Sequence, residues 1–277
     1  MPRARLAEDE ANDLYPNVPG RRTLNPMNRY LTLGYGAAAY LLFLAAFLYL
    51  IGFVGNLVVP RSVDHGLAAP VAAAIPINVA LVVLFGVQHS VMARPAFKRW
   101  WARFVPSSIE RSTYVLLSSV VLALLYWQWR TMPTVIWDVR MPAARAVLWA
   151  LFWLGWAIAL LATFLINHFD LFGLRQVYLA SRQKPYTSVE FRVRLLYRVV
   201  RHPLMLGMLI AFWAAPAMTA GHLLFSIGMT TYILIATQLE ERDLVASLGH
   251  PYREYRREVS MLLPIPRRQA TSIARQG

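Results

Sequence analysis

Three consecutive residues, Arg201, His202 and Pro203, combine a fixed cation, a titratable ring and a helix-starting imino acid. Proline suits the first turn of a helix because its missing N–H would have no partner there in any case. A helix starting at Pro203 turns free amides and the positive end of its dipole toward what precedes it, a site for a carboxylate or phosphate. Arg201 adds permanently charged, bidentate recognition. Further along, Glu240 and Glu241 supply the opposite charge. Opposite charges at the two feet of one helical hairpin suit a zwitterionic ligand, or a salt bridge between the feet. Tyr252 and Tyr255 share a helix face at i, i+3 spacing, which suits covering a flat base or packing that helix down.

A second set of residues suits proton transfer. His89, His168 and Asp170 carry the imidazole and carboxylate groups that act as general acids and bases. Each is expected at the inner end of an apolar helix, where ionisable groups are costly and are functional candidates by default. The same depth holds His202, Glu240 and Glu241, so the six are expected to share a pocket. The spacing of His89, His168, Asp170 and Glu240 matches no metal-ligand motif, so no metal is assigned. Cysteine is absent, which removes thiolate nucleophiles, disulfides and thiolate-bound metals. His65 and His222 are expected to be exposed at outer turns, and His250 lies in a basic tail.

The elements that position these residues are apolar helices. Of 277 residues, 57% are hydrophobic and 15% charged, against about 25% charged in an ordinary soluble domain. A helix needs about 20 apolar residues to cross a bilayer. Four segments reach or approach that length, at 30–54, 71–92, 113–129 and 146–167. A fifth apolar stretch, 204–238, would be about 52 Å long as one helix, too long for a single crossing. Pro216 and Gly221 near its middle predict a hairpin turning at 219–222. Orientation follows from the placement of Lys and Arg. Twenty-four fall on the side of the N-terminus, even-numbered loops and C-terminus, and four on the other. That side is therefore read as cytoplasmic, and a hairpin is needed to keep the tail's cations there. The net charge of +14 is read as facing anionic lipid rather than nucleic acid.

The expected fold is thus all-α: a polytopic membrane helical bundle of four spans, a C-terminal helical hairpin and a cytoplasmic amphipathic tail. Residues 1–29 form a cytoplasmic N-terminal segment without a signal-peptide core, 30–167 the four-span membrane core, and 168–266 a binding loop, hairpin and tail. Residues 267–277 read as a disordered tail.

The ordered set Arg201, His202, Pro203, then Glu240, Glu241, Leu244, Gly249, Tyr252, Tyr255, Val259 and Pro264 resembles the C-terminal signature of the isoprenylcysteine carboxyl methyltransferase superfamily. Two positions depart from it: Met205 stands where a tyrosine is expected, and Leu248 where a phenylalanine is usual. IGFVGN at 51–56, QHSVMARP at 88–95 and NHFDLFGLRQ at 167–176 extend the resemblance over most of 25–265. They point to one branch, the membrane methanethiol S-methyltransferases, with NnrU-like proteins as neighbours.

This resemblance implies an integral membrane enzyme that uses S-adenosyl-L-methionine to methylate a small thiol, methanethiol, giving dimethyl sulfide. It implies cofactor binding by Gln176, Tyr197, Arg201, His202, Pro203, Leu206, Glu240, Glu241, Tyr252 and Tyr255. A free thiol is mostly protonated at neutral pH, so a proton acceptor is expected among His168, Asp170 and His89, with Gln176 orienting it. Three alternatives stay open: a larger lipidic acceptor such as a prenylcysteine carboxylate, a membrane sterol reductase using NADPH, whose longer helical core is not found in 277 residues, and a non-enzymatic membrane transporter or subunit.

Overall fold

The fold is given by a computed structural model, which describes residues 26–187 and 193–265. The expected N-terminal segment, apart from its last few residues, and the expected tail at 267–277 lie outside the described residues. Five helices are long and apolar enough to cross a membrane: α1 (Pro26–Gly55), α2 (Val71–Ala93), α4 (Ser107–Gln128), α5 (Pro142–Ile166) and α9 (Ala220–Leu248). Their outward faces are apolar and exposed, as at Leu41, Leu48, Val83, Val87, Leu160 and Ile235. Lipid is the solvent that suits such a surface. The chain is an all-α integral membrane protein.

Short elements close the two ends. At one end lie α3 (Pro95–Trp101), α6 (His168–Leu171), α7 (Leu174–Ser181), a 3₁₀ turn (Leu195–Arg198) and α10 (His250–Glu258). The opposite end carries two small ladders. Strand β1 (Leu67–Ala68) pairs in parallel with β2 (Arg130–Thr131), and β3 (Val135–Asp138) pairs antiparallel with β4 (Ala217–Thr219). Buried Asn78 on α2 pins β2 by donating to the Arg130 carbonyl and accepting its N–H, both at 2.8 Å.

The hairpin differs from the expected one. Its first arm, α8, is only Pro203–Trp213, about 16 Å long. The chain then leaves helical geometry, runs through β4, and re-enters a helix capped by the Thr219 side chain, which accepts the His222 N–H. The turn therefore occupies 214–219 instead of 219–222. The cause is Pro216, which disfavours helical backbone in the residue before it and cannot donate.

Non-helical backbone at membrane depth must be satisfied by protein groups. Here Trp137 Nε1 donates to the Ala215 carbonyl at 3.0 Å, and the Val139 N–H to the Pro216 carbonyl at 2.9 Å. The Phe212 carbonyl, at the end of α8, receives Ser226 Oγ at 2.9 Å and His222 Nε2 at 3.0 Å. His222 is accordingly buried, not exposed as expected. His65 is exposed.

A short arm has little length with which to hold its place, and α8 compensates by backbone contact with α5. Gly155 and Ala159 of α5 face Gly207 and Ala211 of α8. A Cβ at Gly155 would stand 2.6 Å from the Gly207 carbonyl oxygen and 2.7 Å from the Ala211 nitrogen. This is the close approach that small residues four apart allow in membranes. Gly155→Leu or Gly207→Leu should therefore cost at least about 3 kcal/mol, the upper range for overfilling a packed interior. Size-exclusion chromatography in detergent should show loss of monodisperse protein for both. Gly34→Ala, where a Cβ meets nothing within 4 Å, should behave as the parent.

Candidate active site

The end of the bundle that carries α6, α7 and α10 gathers most of the expected site residues, in three groups. The first is a buried clamp. Arg201 precedes α8 and Glu241 lies two turns inside α9. Arg201 Nε donates to Glu241 Oε1 at 2.6 Å, with both side chains about 5% exposed. Arg201 also donates to the Arg256 carbonyl at 3.1 Å and to the Val259 carbonyl. The second Glu241 oxygen receives Arg256 Nε at 3.2 Å. His202 Nε2 lies 3.3 Å from Glu241 Oε1. The Arg201 and His202 amides donate to the Ser260 and Met261 carbonyls. Arg201 and Glu241 are thus turned on each other and on the tail.

Glu240, one residue earlier, points elsewhere. Its side chain is 47% exposed, and it approaches His202 Nδ1 at 3.8 Å. Its charge reaches Tyr197 and Tyr252 on the tail side, and Tyr114 and Tyr232 on the bundle side. Successive helix residues differ by about 100°, so one carboxylate serves the clamp while its neighbour faces open space. Pro203 opens α8, and the Leu206 N–H returns to the His202 carbonyl at 3.0 Å.

Helix α10 lies on this foot. Tyr252 and Tyr255 are its buried face, with rings 5.8 Å apart. Tyr255 OH donates to the Tyr197 carbonyl at 2.6 Å, and Tyr197 OH reaches the Ala162 carbonyl at 3.4 Å. The tail is thereby tied to α5. Burial pushes the Tyr255 phenol up to about 12 and raises that of Tyr252. Both stay protonated at neutral pH.

The second group is centred on α6. Asp170 accepts from Arg175 at 3.0 Å, from Gln176 Nε2 at 3.3 Å and from Tyr186 OH at 3.1 Å. Burial, then the Asp170 charge, push Tyr186 up to about 12, which keeps it a donor. His168 is held at both ring nitrogens. Nε2 lies 2.8 Å from Tyr40 OH and Nδ1 2.8 Å from Thr163 Oγ1. Thr163 gives its one proton to the Leu160 carbonyl at 2.7 Å, so it accepts from Nδ1–H. Nε2 is then the acceptor of the Tyr40 hydroxyl. The ring stacks on Phe164 at 4.3 Å, with Phe172 at its edge. Burial lowers its pKa from the ordinary 6.5.

His89 belongs to a third group. It stands among Phe85, Tyr114 and Tyr232, with Nδ1 3.2 Å from Ser118 Oγ. The six ionisable groups expected in one pocket are therefore distributed over three neighbouring clusters. Tyr40, Thr163, Arg175, Tyr186 and Arg256 were not singled out from sequence. Arg175 and Gln176 close the 167–176 stretch, and that adjacency was the one available signal.

The fold and this site define a class: a polytopic helical membrane protein whose C-terminal hairpin and tail form a charged foot at one end. Residues 78–258 match the family model described as NnrU protein. A methanethiol S-methyltransferase of Mycobacterium tuberculosis is 71% identical over 242 residues, covering 87% of this chain and 99% of that protein. Methanethiol S-methyltransferase 2 of Bradyrhizobium diazoefficiens is 56% identical, covering 85% and 91%. A Pseudomonas methanethiol S-methyltransferase is 50% identical, covering 90% and 96%. No solved structure matches. The chain belongs to the NnrU family and, within it, to the methanethiol S-methyltransferases.

Two outcomes follow from the clamp and from His168. Removing one member of a buried ion pair costs about 3–5 kcal/mol because the other is left unpaired. Arg201→Met should therefore free α10, seen as rapid proteolysis after residue 248 and a lower melting temperature in detergent. Arg201→Met with Glu241→Leu should recover part of that loss. His168 is lowered in the folded state, so the unfolded chain binds its proton more readily. Stability should be full above pH 6.5 and fall as pH drops below it. In His168→Gln, thermal unfolding between pH 7 and 5 should lose that component.

Proposed function

We propose that this protein transfers a methyl group from S-adenosyl-L-methionine to methanethiol, releasing dimethyl sulfide, at the cytoplasmic end of the bundle. The excess of Lys and Arg, 24 against 4 between the two sides, supports placing both termini and the foot in the cytoplasm. The relatives' names support the thiol acceptor over a prenylcysteine carboxylate or a transport role. A thiol-methylating enzyme needs a methyl donor, and the sulfonium of S-adenosyl-L-methionine supplies an electrophilic methyl carbon when bound.

The observation that carries the cofactor reading is Glu240, a half-exposed carboxylate beside a foot whose other charges are mutually paired. The fit is chemical. Glu240 offers acceptors to an ammonium or to ribose hydroxyls. The first turn of α8, after His202 and Pro203, offers amides that have no intrahelical partner to a carboxylate. Tyr197 and Leu206, partly exposed at the edge of the foot, offer flat and apolar surface to an adenine, and the buried Tyr252 and Tyr255 back that surface. In this reading Arg201 and Glu241 hold the walls together. Gln176 acts through Asp170 rather than on the ligand directly. Residues 30–167 serve as the membrane core, and 168–266 as the binding unit that wraps its end.

Cells expressing the protein and supplied with methanethiol should release dimethyl sulfide, detected by headspace gas chromatography. Its absence, with folded protein in the membrane, would remove the thiol reading. Purified protein should bind S-adenosylhomocysteine by calorimetry. Glu240→Ala should weaken that binding about tenfold or more, as expected for a charged hydrogen bond worth about 1.5–3 kcal/mol. Glu254→Ala, on the exposed face of α10, should leave it unchanged.

A further inference from the structure

Besides exposed His250, which faces Glu254 on α10, three histidines lie near the foot, and their ring nitrogens are used differently. His168 has partners at both, Tyr40 and Thr163. His202 has Glu241 at Nε2 and Glu240 near Nδ1. His89 has Ser118 at Nδ1, and among the described residues no hydrogen-bond partner at Nε2. The His89 side chain is only partly buried. A proton acceptor for a small neutral substrate needs a ring nitrogen not already engaged, and His89 is the member of this set that has one among the described residues.

The contact at Nδ1 is compatible with a lone pair at Nε2. Ser118 Oγ, buried on α4, receives Gln88 Nε2 at 3.3 Å on one side and faces His89 Nδ1 at 3.2 Å on the other. A hydroxyl oxygen has two acceptor positions. In the tautomer whose Nδ1–H fills the second position, Nε2 carries the lone pair. The ring is held flat by Phe85 at 5.3 Å, Tyr114 at 5.0 Å and Tyr232 at 6.2 Å, contributed by α2, α4 and α9. Gly86 leaves no room beyond Tyr232, since a Cβ there would lie 2.9 Å from that ring. The charged residues acting on this wall are few. Glu240 on α9 acts on Tyr114 and Tyr232, as does Arg94 just after α2, and Arg111 acts on Tyr114.

Position links this nest to the foot. The Arg94–Asp243 ion pair, at 2.8 Å, holds the end of α2 against α9. Tyr232 and Asp243 lie on the side of α9 that meets α2, and Glu240 lies between them along the chain. Going down α9, the aromatic nest comes first and the available carboxylate about two turns later.

We propose that His89 Nε2 receives the thiol proton, that Ser118 and Gln88 position it by holding Nδ1–H, and that Phe85, Tyr114 and Tyr232 wall the thiol site. This deepens the function proposed above and rests on it. In the balanced step, the S–H bond breaks and its proton passes to Nε2. The sulfur lone pair forms the new C–S bond, and the pair of the broken donor C–S⁺ bond stays on the donor sulfur, which becomes a neutral thioether. The imidazolium then returns its proton to water. His168 is assigned a structural role.

The test uses full-length protein in nanodiscs. His89→Asn should lower kcat by about 100-fold or more, in the range for losing a general base, with S-adenosylhomocysteine binding unchanged. Ser118→Ala should lose about tenfold in kcat, as expected for a displaced catalytic group, and Ser118→Thr should restore most of it. Methaneselenol, ionised at neutral pH, needs no base, so the His89→Asn deficit should shrink to a few-fold with it. A deficit equal for thiol and selenol would overturn the assignment in favour of a packing role. A second readout needs no turnover. In protein labelled at histidine ring carbons, methanethiol without donor should shift the resonance that disappears in His89→Asn. No shift, or a shift confined to the His168 resonance, would also overturn it. Wild type making no dimethyl sulfide would refute the proposed function itself; active wild type with an unimpaired His89→Asn would refute this assignment alone.

Discussion

A guanidinium and a carboxylate removed from water together, Arg201 and Glu241, join three segments that sequence order keeps far apart: the start of α8, the lower part of α9, and the chain after α10. Two charges buried at the edge of a membrane are tolerable only if each is neutralised and its remaining hydrogen-bonding positions are filled. Here the carbonyls of Arg256 and Val259 take the spare donors of Arg201, and Arg256 and His202 take the spare acceptors of Glu241. Satisfying the pair therefore requires the tail to return to the hairpin. The foot exists because leaving the pair open is costly.

That requirement also explains why two adjacent glutamates have different fates. The clamp needs one carboxylate facing α8, and the helix turns the next side chain about 100° away, out of the clamp. Glu240 is excluded from the clamp by geometry rather than by chemistry. It remains a partly hydrated charge at the border between the tail and the aromatic nest around His89.

Much of the fold was legible because hydrocarbon imposes a length on apolar helices and a side on cations. The four early spans came from length alone, and the hairpin from length together with charge. The position of the turn was less legible. Residues 204–215 form an apolar run with no breaker before Pro216, so the sequence marks where a helix cannot continue but not that α8 ends at Trp213. The burial of His222 was not legible at all. Its partner, the Phe212 carbonyl, is orphaned by the short α8, and nothing near residue 222 announces that. The chemistry at the foot was readable as residue types. Partner choice was not, because Glu240 and Glu241 are distinguished by helix phase and His89 from His168 by tertiary neighbours.

The separation between clamp and nest has an electrostatic reason. Methyl transfer from a sulfonium to a thiolate destroys two opposite charges, so its barrier is lowered where water does not stabilise them in advance. Low dielectric strengthens their attraction, and aromatic walls such as Phe85, Tyr114 and Tyr232 supply a low-dielectric lining. A fixed cation beside the reacting sulfur would hold the thiolate back, and a fixed anion would hold the sulfonium back. Burying Arg201 against Glu241 removes the strongest nearby cation from that role. It leaves a neutral imidazole, which acquires charge only when it takes the thiol proton and so costs nothing to keep in a dry site beforehand. A bundle that is apolar by necessity of the bilayer thus provides the medium that this reaction favours, and its charged foot is placed where it can grip a ligand without entering that medium.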